Sequence, residues 1–401
     1  YLDLLMSSRY KLFAILAAVL VAGAAIAAVL MNGGADGGDD EPSAILDMAG
    51  RDVTAVADMD VERLIATGPG ALRFVSYLNC SDLVVAVEPR EGPAYNAKSY
   101  MYAYGYDDTS RYDRSIGSGG DGLIEYPEQL LMLENVPQVI IYSVPSASLT
   151  SQQLAYIETA ESLGMRVVVI LELDTMLDGT GSLSEAFVKQ TTLLGKVLDR
   201  EERAAELLTF IEATLGDLRA RAASVSASER EATAYIGSLS YAGAKGFDYS
   251  SSWYDPFAIL GVNNVVTGGS QVVYQINMES ILGAQPDYVF LDPTGYSTFI
   301  ANWNDGASAQ SREALMALTA FQEGRVFMTI PFIWYGVNFD NVLLGAYHIG
   351  TVMYPSAFGD VDLKEKASEI YTAFVGEDCY EDMNAWFIEN RGTPIAGAAP
   401  L

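Results

Sequence analysis

Histidine is nearly absent from this chain: His348 is the only one among 401 residues, and only two cysteines, Cys80 and Cys379, accompany it. Zinc sites need clustered nitrogen and sulfur ligands at short spacing, and neither a C-x-x-C pair nor a His/Cys cluster exists. Two cysteines so far apart are also too few for a disulfide scaffold, and they read as buried free thiols. A Ser-His-Asp or Cys-His site would have to rest on His348, which lies within the predicted helix Asn341–Met353 among apolar neighbours, with no G-x-S-x-G elbow nearby. Positive charge is scarce as well. The chain has 23 basic residues against 52 acidic ones, a formal net charge of −29, and no Lys/Arg-rich run. Such a surface repels phosphate backbones, which excludes nucleic acid as a partner.

Apolar residues are plentiful, at 50% of the chain. Leu12 to Met31 form an uncharged stretch, long enough at ~1.5 Å per residue to cross a ~30 Å hydrocarbon core. Arg9 and Lys11 precede it; Asp36, Asp39, Asp40 and Glu41 follow it. The positive-inside rule then puts the N-terminus in the cytoplasm and everything after residue 32 outside. An uncleaved anchor is expected over a cleaved signal peptide, because the apolar run continues past the small residues Ala22-Gly23-Ala24. No cysteine follows closely enough to carry a lipid. Met6 opens a more ordinary targeting sequence, so residues 1–5 read as an upstream extension. Asn32 to Ser43 is glycine-rich and acidic, a flexible tether.

From Ala44 onward, short continuous apolar runs alternate with helical segments. The strands are expected at Arg63–Ala66, Leu83–Val87, Val139–Tyr142, Arg166–Ile170, Ala234–Ile236, Tyr288–Leu291 and Arg325–Met328. The helices are expected at Gly70–Leu78, Pro127–Leu133, Thr150–Leu163, Phe257–Gly261 and Met278–Leu282. Runs without alternation suit strands covered on both faces, so the pattern predicts an α/β architecture with mostly parallel sheets. Ser182 to Ser224 breaks it with helical periodicity alone. Phe187, Leu193, Leu194 and Val197 form one apolar stripe, and Ala204, Leu207, Leu208, Ile211 and Leu215 another. Spacing alone leaves two readings of the second stripe: a long spine joining two lobes, or ordinary surface helices of one large domain.

Asp47-Met48-Ala49-Gly50-Arg51-Asp52-Val53 followed by Glu62-Arg63-Leu64-Ile65 is similar to the opening strand pair and first sheet strand of the iron-siderophore/cobalamin family of periplasmic substrate-binding proteins. Tyr126-Pro127-Glu128 through Pro137-Gln138-Val139-Ile140-Ile141 resembles its helix–strand unit, with Gln138 where aspartate is usual. Asn277-Met278-Glu279 through Pro286-Asp287-Tyr288-Val289-Phe290 repeats the unit. Phe257–Asn264, Gly324-Arg325-Val326-Phe327 and Tyr354-Pro355 resemble later family segments. The order and spacing of these segments over residues 45–374 carry the resemblance; no single one is specific. It implies two Rossmann-like lobes joined by one long helix, with the ligand in the cleft between them. The expected division is an N-terminal signal or anchor (1–31), a linker (32–43), a first lobe (44–182), linking helices including the spine (183–224) and a second lobe (225–401).

The implied function is non-enzymatic: an extracytoplasmic protein that delivers an iron complex or a corrinoid to an ABC permease and its ATPase. No cofactor is expected beyond iron or cobalt within the cargo. The loops after strand C-termini are rich in aromatics, which offer broad apolar faces with one polar handle. The expected ligand-binding residues are Tyr102, Tyr104, Tyr106, Trp253, Tyr254, Trp334, Tyr335 and Asn338. Tyr95, Tyr100, Tyr112, Tyr241, Phe247 and Tyr249 belong to the same loops. Thr67-Gly68-Pro69-Gly70 reads as a strand-to-helix turn, with anion binding by its N–H groups as the alternative. The resemblance assigns Glu128 and Glu279, one per lobe, to docking on arginines of the permease, as exposed carboxylates pair well with guanidinium forks. An anchored hydrolase working through paired carboxylates, or a sensory ectodomain on the same fold, are the alternatives.

Overall fold

The computed structural model describes residues 44–91, 116, 120–241, 243–269 and 272–401. The putting together of the chain begins with a small turn. Leu46 and Asp52 form an antiparallel bridge, and buried Asp47 accepts the N–H groups of Ala49, Arg51 and Val169. Arg51 pairs with Asp47 and reaches Glu161. The segment is thereby pinned to the first sheet.

That sheet holds β1 (Leu64–Thr67), β2 (Val84–Ala86), β3 (Val139–Val144) and β4 (Arg166–Leu171) in the order β2-β1-β3-β4, all parallel. Every residue of β1 and β3 is buried, as continuous apolar runs require. The second sheet holds β5 (Thr233–Gly237), β7 (Asn263–Asn264), β9 (Tyr288–Leu291), β10 (Val326–Met328) and β11 (Gly397–Ala398), in the order β11-β10-β9-β5-β7. Only its edge strand β11 is antiparallel. A two-stranded antiparallel pair, β6 (Tyr249–Ser250) and β8 (Tyr274–Gln275), stands beside it.

The departure at Gln138 has a physical explanation. Its Oε1 accepts the N–H groups of Glu62 and Arg63 at 2.9 and 3.0 Å, capping the entry to β1. Asp287 does the same at the entry to β5, accepting from Thr233 N at 2.8 Å. The repeated units therefore share a function at the start of each sheet, and an amide serves as well as a carboxylate.

The long helix spans Glu201–Ser224, about 36 Å at the usual rise. Leu207, Leu208, Ile211, Leu215 and Leu218 are buried along one stripe. It packs on the helices Glu185–Val197, Asp255–Leu260 and Phe339–Met353. Of the two readings its spacing left open, the spine is the one the fold adopts. The expected helix at Pro127–Leu133 is a 3₁₀ helix, Pro127–Met132. The expected Phe257–Gly261 helix begins earlier, at Asp255, because Pro256 fits its first turn.

The lobes share one core. Phe74 in the first-lobe helix Ala71–Tyr77 contacts Phe187 and Phe339, with ring centroids 5.6 and 5.9 Å apart, and Phe187 meets Phe339 at 5.0 Å. Tyr77 packs edge-on against Phe374 at 4.7 Å and donates its hydroxyl to Asp340 at 3.0 Å. From the spine, Arg203 reaches the carbonyls of Tyr77, Ala373 and Phe374. Packed aromatics and buried hydrogen bonds resist sliding, so closure is expected to be a small hinge motion. Small-angle scattering with and without saturating cargo should give the same radius of gyration within error. A clear contraction would overturn this expectation.

Both thiols are buried and unpaired with one another. His348 is buried on the helix Phe339–Met353, its Nε2 lies 2.8 Å from the Met328 carbonyl oxygen, and burial holds its pKa down at about 4. It is a core histidine.

Candidate functional site

The C-terminal ends of both parallel sheets face a cleft of ≈ 550 Å³. Open α/β sheets place ligand sites at such ends, because loops there are free to vary while the strands hold them. Pro69 follows β1, Arg90 follows β2 and Glu172 follows β4. From the second lobe come Ser240 and Tyr241 after β5, Thr294 after β9, and Ile333–Gly336 after β10. Arg391, the last residue of the helix Tyr380–Arg391, completes the wall.

The loop after β10 is the most constrained part of the site. Ile333 bridges Val337, and Trp334 N donates to Gly336 O at 3.0 Å, so the tip is a tight hairpin. Tyr335 takes φ +47°, a left-handed conformation that costs a non-glycine residue about 1 kcal/mol or more, and Gly336 follows at +105°. Bonds across to the first lobe hold it there. Gly70 N donates to Tyr335 O at 2.8 Å, and Arg73 donates to Trp334 O at 2.7 Å. The Tyr335 hydroxyl donates to Glu88 Oε1 at 3.1 Å, while Gly68 N donates to Glu88 Oε2 at 2.9 Å. The N–H groups of the Gly68–Gly70 turn are thus committed to Glu88 and Tyr335, which favours its structural reading over anion binding. Burial and the neighbouring Glu88 carboxylate push the Tyr335 phenol far above its usual range.

Gly122 (φ +74°) lies so close to this turn that a Cβ there would stand 2.5 Å from Gly68 Cα. The approach brings Gly120 into the cleft beside Arg90. Arg90 stacks over the Tyr335 ring, Cζ to centroid 5.5 Å. On the opposite side the Glu172 carboxyl is pushed up to about 7, first by burial and then by Asp174, with Arg73 opposing. Burial also raises Asp174. Tyr241 is raised by its own burial and by both carboxylates.

Of the expected ligand-binding residues, Trp334 and Tyr335 line the cleft. Tyr102, Tyr104 and Tyr106 lie outside the described residues, as do Tyr95, Tyr100 and Tyr112. Tyr254 stands in the core, 1% exposed, edge-on to Phe257 and Phe332, its hydroxyl 3.2 Å from Thr329 Oγ1. Asn338 is buried at the entry to the helix Phe339–Met353, where its N and Nδ2 both donate to Phe332 O. Trp253 is exposed, with its N–H on Ser251 Oγ, and is not among the cleft residues. Sequence reasoning missed Glu172 and Arg391. The first carried a signal, since it directly follows a buried parallel strand; the second sits at a helix end that no strand pattern marks.

Glu128 and Glu279 are exposed, one on each lobe. Glu128 is in the first turn of the 3₁₀ helix Pro127–Met132, flanked by exposed Tyr126, Leu131 and Met132. Glu279 is in the first turn of the helix Met278–Ala284, where Asn277 caps its N–H at 2.8 Å. Among the described residues no helix is long and apolar enough to cross a membrane, and the Leu12–Met31 segment lies outside them.

The periplasmic binding protein family model matches residues 145–331. No curated protein matches the chain significantly. A periplasmic solute-binding protein of Veillonella parvula superposes with a TM-score of 0.61 at 17% identity, covering 88% of this chain and 98% of its own. A molybdate periplasmic binding protein of Haemophilus influenzae, bound to molybdate, gives 0.59 at 19%, covering 84% and 99%. A Helicobacter pylori protein with Ni(II) bound gives 0.54 at 15%, covering 84% and 96%. At such identities the structures speak to fold alone, and they agree on it over 84–88% of this chain. Residues 145–331 thus resemble the periplasmic binding proteins in sequence, and the two-lobed, helix-linked fold is shared with a solved member over 88% of this chain.

Proposed function

We propose that this protein delivers an iron complex, siderophore or haem, or a corrinoid to an ABC importer, tethered to the membrane by residues 12–31. The observation that carries the reading is the cleft itself. It opens between lobes at the strand ends, and Trp334, Tyr335 and Tyr241 offer it aromatic faces of the kind that suit a planar macrocycle or aromatic chelate. Titration of the purified protein with haemin, corrinoids and ferric chelates, followed by tryptophan fluorescence and absorption spectra, tests it. Saturable one-to-one quenching by one class is the expected result; failure of every class to bind would overturn the iron or corrinoid assignment.

The cargo is expected to leave unaltered. A hydrolase would call on a cleft carboxyl poised near neutrality, and Glu172 is the residue with that property. Recovery of the bound compound intact by mass spectrometry supports carriage, whereas turnover would move the assignment to catalysis.

Glu128 and Glu279 are the docking residues in this proposal. Their separation onto the two lobes would let a permease read both at once, and rim charges act mainly on encounter and orientation. Reversing both, Glu128→Lys with Glu279→Lys, should lower transport at least tenfold in membrane vesicles while cargo affinity stays unchanged. Undiminished transport would remove them from the docking surface.

A further inference from the structure

The charges of the cleft are arranged in an unusual way for so acidic a chain. Carboxylates outnumber basic residues more than two to one. Yet Arg90 and Arg391, one from each lobe, form no ion pair among the described residues. Their contacts are with aromatic faces instead, Tyr335 for Arg90 and Trp386 for Arg391, at 5.5 and 5.7 Å. The Arg391 Nε is buried without a hydrogen-bond partner. Two guanidinium groups in one cleft with no ion pair among the described residues make a receptive site for an anion, since arginine donates in a planar fork that matches carboxylate.

Among the described residues that line the cleft, the one carboxyl is Glu172. The groups around it are Asp174 on its own segment, Arg73 from the helix Ala71–Tyr77 and Tyr241 from the loop after β5, with Arg90 and Arg391 elsewhere on the wall. Behind Asp174 stands buried Asp255. An anionic cargo adds another negative charge to this setting. At about 10 Å and an effective dielectric near 20, one added charge shifts a carboxyl by about one pK unit, a tenfold effect.

Resting on the solute-binding reading above, we propose that the cleft takes an anionic cargo between Arg90 and Arg391, and takes it together with a proton held on Glu172. The neutral carboxylic acid removes the repulsion and supplies an O–H donor to the cargo. Binding is then proton-linked, tighter on the acid side of neutrality. Burial and Asp174 push the Glu172 carboxyl up to about 7, so the linkage falls in the range a cell exterior spans.

Two anionic probes, haemin and ferric citrate, and two without net negative charge, haemin dimethyl ester and cyanocobalamin, are titrated against the full chain at pH 6 and pH 8. At least one anionic probe should bind about tenfold more tightly at pH 6. Calorimetry at pH 7 in buffers of different ionisation enthalpy should show proton uptake on binding. Glu172→Gln should abolish both the uptake and the difference in affinity, because an amide cannot titrate. Arg391→Gln should weaken the anionic probe about tenfold while leaving the pH dependence in place. Equal binding of the uncharged probes, or a pH dependence that survives in Glu172→Gln, overturns the inference and leaves the solute-binding function standing. No binding of any of the four would overturn both.

Discussion

Phe339→Ala is expected to destabilise the protein by roughly 3–5 kcal/mol, the usual cost of removing a buried ring whose surroundings relax only in part. The size of the effect follows from what meets at that ring. Phe74 comes from the first lobe, Phe187 from the helix that precedes the spine, and Phe339 from the last third of the chain. Phe339 is 1% exposed and opens the helix Phe339–Met353, which packs on the spine and on the helix Leu363–Val375. The cavity would therefore open at the junction of both lobes. One cooperative urea transition is expected for the parent protein, because a single hydrophobic cluster runs from Leu64 through the spine to Phe387. Phe339→Leu, which keeps most of the volume, should cost under about 1.5 kcal/mol. A loss of less than about 1 kcal/mol in Phe339→Ala, or two resolved transitions in the parent, would show that the lobes do not share their stability.

The parts of this architecture that were legible in the sequence are those whose physics is local. Val139–Tyr142 and Tyr288–Leu291 read as buried strands because each is a short, continuous apolar run of the kind that suits a strand covered on both faces. The stripe from Leu207 to Leu218 announces a helix by its spacing alone, but its role as a spine depends on partners more than a hundred residues away, and only the family resemblance decided between the readings. Within the site the contrast is sharper. Trp334 and Tyr335 follow a strand end and line the cleft. Tyr254 follows one too, yet it is turned inward by Phe257 and Phe332, and an aromatic side chain looks the same in sequence whether it faces a cleft or a core. Asn338 read as a ligand group because it ends the loop that follows the last sheet strand. Its two donors instead satisfy a single carbonyl, that of Phe332, at a helix entry. Arg391 comes to the cleft from a helix that the alternation of strands and helices does not predict. Charge placement of this kind arises from the tertiary fold, and composition alone gave only the total.

Asp255→Asn should make the protein more stable at pH 8 by roughly 2–4 kcal/mol and change little at pH 4 or below. Asp255 opens the helix Asp255–Leu260 in the second lobe, and Thr175, just beyond β4 of the first, donates its hydroxyl to it at 2.8 Å. Burial pushes the Asp255 carboxyl up to about 7, against the bonds from Thr175 and Met176, which lower it. A carboxyl with its folded pKa raised binds a proton more tightly in the native state. Its contribution is complete below the unfolded value near 4 and is lost as pH rises through about 7. Asp292, raised to about 6 by burial, and Glu172 act in the same direction. His348 opposes them, since its folded pKa of about 4 lies below its ordinary 6.5, so stability is lost as pH falls between those values. Three carboxyls outweigh one imidazole, and the parent protein should unfold at higher urea near pH 5.5 than at pH 8. The asparagine amide keeps an acceptor for Thr175 without a charge to desolvate, so this variant removes one carboxyl's share of the slope. Urea midpoints at the two pH values for parent and variant measure that share directly. A parent protein more stable at pH 8, or a variant with an unchanged slope, would mean that Asp255 is ionised at the lobe junction with its charge fully compensated.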